Sequence, residues 1–181
     1  GFGNYCIYLY AKVGVTIRNV KVRGCGIGLV YSGGNSLINN DIQTWTHGID
    51  LYIYSNGNTI RGNSIYGGPH GIWLRFAHNN NVEDNIVSNA SIGIVSAYSS
   101  NNVISDNRIL NSRYYGYGLV ISQSSYTRIA GNTIADNYFG IEMDNARYNQ
   151  IYGNKFINNL TQTDIYVDGS YGNIFNAEAP T

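Results

Sequence analysis

Two imidazoles, a carboxylate and a guanidinium fall at intervals that invite chemistry: His47, Asp50, His70 and Arg75, with Tyr52 and Trp73 among them. His47 and His70 lie one repeat apart, as do Asp50 and Trp73, and Tyr52 and Arg75. A base, a carboxylate, a cation and an aromatic platform brought within one strand spacing could act on a sugar. Removing the proton beside a uronate carboxylate needs a base, a charge that holds the acid group, and an acid for the opposite face. The same residues also describe a polar strand face with two stacked histidines. A second pair, Asp144 and Asp168, is again one repeat apart, with Glu142 and Asp164 near. Carboxylates about 5 Å apart raise one pKa or attract a cation, and oxygen-rich clusters of this kind suit Ca²⁺. Arg147 is the only base near them, and a solvated acidic end of the face is the plain alternative. Nothing else in the sequence asks for a cofactor.

These groups meet only if the chain is wound on a period, and the period is carried by asparagine. Asn40, Asn63, Asn85, Asn107, Asn132 and Asn154 recur at 22 or 23 residues, with one step of 25. Each stands in the pattern aliphatic–x–x–Asn–x–apolar, as in Leu37/Asn40/Ile42 or Ile104/Asn107/Ile109. A period in the low twenties marks a solenoid. A second pattern, Ile-x-Leu or its equivalent, usually preceded by Gly, phases eight coils from Ile7/Leu9 to Ile165/Val167. Each coil reads as a first strand, a turn, a second strand, a sharp corner at Asn and a short third strand, with aliphatics alternating inward. Asn suits a left-handed corner, and stacked amides can bond from coil to coil. A weaker column, Asn35, Asn58, Asn80, Asn102 and Asn149, is broken by Thr127. The residues around Tyr114–Tyr117 supply a bulging loop at the long step.

Charged residues make up 12% of the chain, about half the usual share, and eleven positives balance eleven negatives. A sequence-blind nucleic-acid binder needs a basic face, and none is visible. No apolar run approaches the ~20 residues of a membrane span. Cys6 and Cys25 fall at nearly matching places in the first two coils, within reach of a disulfide, or else as two small buried thiols. A bond would favour an extracellular chain, or the interior of a hyperthermophile. Asn89 and Asn159 open sequons that an exported chain would expose to glycosylation. Tyr8, Tyr10, Tyr52, Tyr54 and Trp73 share one side of the rod, where flat rings suit sugar faces or protein partners.

Ile60-Arg61-Gly62-Asn63-Ser64-Ile65, Ile129-Ala130-Gly131-Asn132-Thr133-Ile134 and Ile151-Tyr152-Gly153-Asn154-Lys155-Phe156 resemble the right-handed parallel β-helix repeat family. The nearest flavour is the NosD-like group, also called the carbohydrate-binding and sugar-hydrolase repeat group. The resemblance covers about residues 4–176 and implies an all-β, right-handed parallel β-helix of about eight coils with an Asn ladder. Its NosD name implies copper handling, for which Met143, the two cysteines and His78 are few soft ligands. Tyr66-Gly67-Gly68-Pro69-His70 partly resembles the Tyr-Gly-Phe-Asp-Pro-His stretch of mannuronan C5-epimerases, with Gly68 standing where that family has its Asp.

The expectation is a single β-helix domain over residues 1–176 and a tail or linker over 177–181, with both ends of the rod uncapped, so that it is either part of a longer chain or covered at its ends by other copies or other surface subunits. The leading function is a non-catalytic extracellular or cell-surface module of a surface or filamentous assembly that contacts a polysaccharide or glycan. The alternatives are a polysaccharide lyase or uronan epimerase-like enzyme using His47, His70, Asp50 and Arg75, or a carbohydrate-binding domain of a larger enzyme.

Overall fold

In the computed structural model, which describes residues 5–112, 116–161 and 165–176, the chain winds into three parallel sheets. The first sheet has eight strands, Tyr5–Tyr10, Gly26–Val30, Ile49–Tyr52, His70–Arg75, Ile92–Ala97, Tyr117–Ser122, Phe139–Asp144 and Ile165–Asp168, stacked in that order. A second sheet of eight runs from Thr16–Arg18 to Ile174–Asn176, and a third of seven from Lys21–Gly24 to Lys155–Ile157. Every pairing is parallel and joins one coil to the next, as in Leu37↔Ile60 or Trp73↔Val95. This is the β-helix read from the period. Asp164, the tail at 177–181 and residues 113–115 at the Tyr114–Tyr117 loop lie outside the described residues.

The strands are short because each flat face carries only one or two inward residues before the chain must turn. Those residues are β-branched or Leu, and they stack in columns: Leu37, Ile60, Val82, Ile104, Ile129 and Ile151 in the second sheet are at most 3% exposed. Burying each such side chain stabilises the fold by about 1.5–3 kcal/mol. Glycine precedes the first strand's inward Ile or Leu because the chain is pressed against its neighbours there. A Cβ on Gly118 would lie 2.5 Å from Ile134 and 2.9 Å from the Gly140 carbonyl.

The asparagine ladder forms, but its corner chemistry differs from the sequence expectation. The left-handed residues are those just before the rungs, namely Asn39, Gly62, Asp84, Asp106, Gly131 and Gly153. The rungs themselves turn inward and are buried from Asn40 to Asn132. Asn85 shows why. Its Oδ1 accepts from the N–H and Nδ2 of Asn63 (2.9 and 3.0 Å), while its Nδ2 donates to the Ile60 carbonyl and to Asn107 Oδ1 (both 2.9 Å). One amide thus satisfies corner groups that no strand pairing reaches.

The column read as weaker is a second ladder of the same kind, Asn35–Asn58–Asn80–Asn102, resumed by Asn149–Asn173. A column of small residues that the sequence reading passed over, Ser32, Ser55, Ala77, Ser99, Ser124 and Ala146, is fully buried at the corner beside it. Thr127 interrupts the second ladder. Its N–H bonds Asn149 Oδ1 at 2.8 Å, but its own Oγ1 is buried without a partner. Thr127→Asn should bridge Asn102 to Asn149 and stabilise the chain by about 1 kcal/mol, raising the melting temperature by about 2–4 °C. Thermal melts of the two proteins check it, and an unchanged or lower midpoint would count against the ladder logic.

Candidate functional site

The first sheet brings the sequence-predicted group together. His47 and His70 stack with ring centroids 4.9 Å apart and their Nδ1 atoms 3.0 Å apart. Trp73 packs against both, at 4.7 Å from His47 and 4.2 Å from His70, and its indole Nε1 is buried without a partner. Burial, then His47 and Arg75, push His70 down to about 4, and burial also lowers His47. Both rings are therefore neutral at pH 7. One must donate its Nδ1 proton to the other for that contact to be a hydrogen bond.

Asp50 is 1% exposed and accepts from Arg75 through both oxygens, Nη2 at 2.6 Å and Nε at 3.2 Å. Tyr5 donates its hydroxyl to the same carboxylate, reaching it across coil two. That reach depends on Gly28, where a Cβ would come within 2.6 Å of the Tyr5 ring. Burial and the neighbouring Asp50 hold the Tyr5 phenol well above its usual range. The Arg75 guanidinium lies between Tyr52 and Trp73, 4.1 and 4.0 Å from their ring centres. Each group that could move a proton is thus already bonded to another member of the cluster.

The acidic pair also meets. Asp144 and Asp168 are register partners, but Asp144 accepts from Ser122 (3.2 Å) and Asn145 (2.6 Å). Burial, then Asp144 and Asp168, raise the Glu142 pKa. Among the described residues no three His, Cys, Asp or Glu side chains converge on a metal position. Cys6 and Cys25 are joined as a disulfide, with Cα atoms 5.4 Å apart. Of the two sequons, Asn89 sits in a left-handed turn. Asn159 is a rung, its Oδ1 accepting from Asn137 and its Nδ2 donating to the Ile134 carbonyl.

A second feature takes in Tyr52 and Tyr54, two of the rings that the sequence offers for sugar contact, together with neighbours that it does not single out. After the first strand of each coil the chain turns through a residue with positive φ. At the corner before the ladder Asn and at the one after the third strand, that place is filled by Asn, Asp or Gly. At this corner coils two to five hold Tyr31 (φ 51°), Tyr54 (55°), Phe76 (51°) and Tyr98 (52°), while Ala11, Gln123, Asn145 and Gly169 fill it in the others. Bulky residues there cost roughly 1 kcal/mol or more each, and these rings are 44–66% exposed. They stack in two pairs, Tyr31 on Tyr54 (6.1 Å) and Phe76 on Tyr98 (4.8 Å). Beside Tyr54, Phe76 and Tyr98 a groove of about 650 Å³ opens, lined also by Tyr52, Ile53, His78, Ser100 and Gln123.

The groove has a simple construction. Ala77 and Ser99 turn inward at the corner, and the residues on either side of each, Phe76 and His78, Tyr98 and Ser100, stand outward as facing walls. The next two coils repeat the arrangement with Gln123 and Ser125 around Ser124, and Asn145 and Arg147 around Ala146, enclosing about 420 Å³ more. Gln123 belongs to both stretches and donates to the Tyr98 hydroxyl at 2.9 Å. His78 Nδ1 accepts the Ser100 N–H at 3.0 Å, which leaves its proton on Nε2. The signal was present in the sequence as aromatic residues repeating at a turn position, a place where rings are not needed for folding.

Solved β-helices share this architecture. Two mutants of the periplasmic alginate epimerase AlgG superpose with TM-scores of 0.67 and 0.68 at 18% identity, covering 94% of this chain and 47% of theirs. The enzymatically active domain of tailspike protein 2 of bacteriophage CBA120 gives 0.64 at 13% identity, covering 92% of this chain and 35% of its own. At such identity these likenesses establish the fold alone, and this chain spans about half the length of the epimerase. No curated protein matches the chain.

The family described as "Periplasmic copper-binding protein (NosD)" matches residues 6–179. The donors present do not fit a copper centre. Met143 is in the core, the cysteines are joined, His78 Nδ1 is bonded to Ser100, and His47 and His70 face each other beside the Arg75 cation. With the match running through nearly every coil of a right-handed parallel β-helix, the chain belongs to the NosD family.

Proposed function

We propose that this chain is a non-catalytic, exported β-helix module that binds a polysaccharide in the corner groove walled by Phe76 and Tyr98. The observation that carries the reading is the row of exposed rings held at left-handed corners, where Asn or Gly would fold at lower cost. Aromatic walls with hydroxyl and amide groups beside them match the alternating apolar faces and hydroxyl edges of a sugar chain. Export is supported by the disulfide and by the periplasmic descriptions of the family and of AlgG.

A lyase or epimerase reading has support from the same fold and from the histidine pair. Against it, the Asp50 carboxylate is closed by Arg75 and Tyr5, and the imidazoles are turned on each other. Membership of a surface assembly is a separate proposal, supported by the exposed Tyr8–Tyr10–Tyr31 ring contacts on the first coils.

Calorimetric titration with a panel of neutral and uronate hexasaccharides tests the binding reading. Phe76→Ala and Tyr98→Ala should each weaken binding about tenfold, because each removes a ring worth roughly 1 kcal/mol or more, while the fold is retained. Unchanged affinity in both variants would remove the groove from the account. Uronan turnover that is abolished by His70→Ala would replace it with the enzyme reading.

A further inference from the structure

We infer that the groove takes a glycan chain lengthwise and that Arg147 receives one carboxylate of an acidic sugar at its far end. This rests on the glycan-binding reading of the groove and names the chemical class of its ligand. Two observations carry it. First, Gln123 lines both the aromatic stretch and the stretch that ends at Asn145 and Arg147, so the two form one trough along the rod. From Phe76 to Asn145 the trough crosses three coil steps, or four from Tyr54, about 14–19 Å at ~4.8 Å per coil. A sugar unit has about the length of a coil step, so three to five units fit along it.

Second, the chemistry changes along that length. Rings give way to the amide of Gln123 and the hydroxyl of Ser125, and then to a guanidinium. Arg147 is exposed and, like Arg18, Arg108 and Arg128, enters no ion pair among the described residues, but unlike them it lines the trough. Its guanidinium rests 4.7 Å from the centre of the Tyr171 ring, and the residue lines the trough. Arginine's fork is matched to a carboxylate's two oxygens. The nearest acid on that coil, Asp144, lies across Asn145 and is bonded to Asn145 and Ser122. It disfavours a polyanion running past it, and so the trough accepts one acidic unit at its end rather than a uniform polyuronate.

The test uses the neutral hexasaccharide that binds best in the panel above, and the same chain with one terminal unit carboxylated at either end. One carboxylated form should bind about tenfold tighter than the neutral chain at low salt. The gain should shrink as salt rises and vanish in Arg147→Gln, which should bind the neutral and carboxylated chains with equal affinity. Equal affinity for neutral and carboxylated chains, or a gain that survives Arg147→Gln, overturns the inference while leaving the glycan reading intact. If no hexasaccharide binds at all, the glycan reading itself falls and this inference with it.

Discussion

Asp50→Ala should lower stability by about 3 kcal/mol, which at this chain length is a fall in melting temperature of about 6–12 °C. Asp50 is 1% exposed and holds Arg75 through two hydrogen bonds and Tyr5 through a third. Removing it leaves a guanidinium pinned between Tyr52 and Trp73 with no counter-charge, and a half-buried phenol with no acceptor. The figure sits at the low end of what an orphaned buried charge costs, because the Arg75 side chain keeps 26% of its surface in solvent. The double variant Asp50→Val with Arg75→Met should recover most of the loss. Val95 and Val120 already occupy the Asp50 column in later coils, 6% and 8% exposed, so an apolar pair fits this face. Urea melts of the two variants decide it. A double variant no more stable than the single one would mean the ion pair supplies more than its own neutralisation.

Asn85→Ala should cost more, about 3–5 kcal/mol. The substitution removes two acceptor and two donor contacts and strands the Asn63 N–H in the core. Each unsatisfied buried polar group costs about 1–3 kcal/mol, and no water reaches a rung that is 0% exposed. A control separates ladder from turn. Asn101 is an exposed left-handed turn residue (φ 59°), and Asn101→Ala should cost about 1 kcal/mol. If the two variants melt alike, the buried amides are not what holds the coils in register.

The fold was legible because a solenoid writes its geometry into sequence spacing. Once Asn40, Asn63 and Asn85 set the period, the pairs His47/His70, Asp144/Asp168 and Cys6/Cys25 followed by counting, and the structure brings each pair together. Spacing could not show which way a side chain's polar atoms are engaged. Asp50 and Arg75 read as available catalytic groups, and only in the folded chain are they seen closed on each other with Tyr5 reaching over Gly28. Of the corner groove the sequence singled out only Tyr52 and Tyr54, and the rest was missed for a different reason. Its walls come from turn positions, and alternation along strands says nothing about turns. The error over left-handed corners has the same root: rung and corner are neighbours such as Asp84 and Asn85, and composition favours either for a positive φ.

The central claim is that the corner groove, and not the histidine face, meets the ligand. Two-dimensional amide NMR during titration with a binding hexasaccharide tests it most directly. Shifts should be confined to the trough, at residues 54, 76–78, 98–100, 123–125 and 145–147, with His47 and His70 unmoved. Shifts centred on His47, His70 and Trp73, with the groove silent, would contradict it.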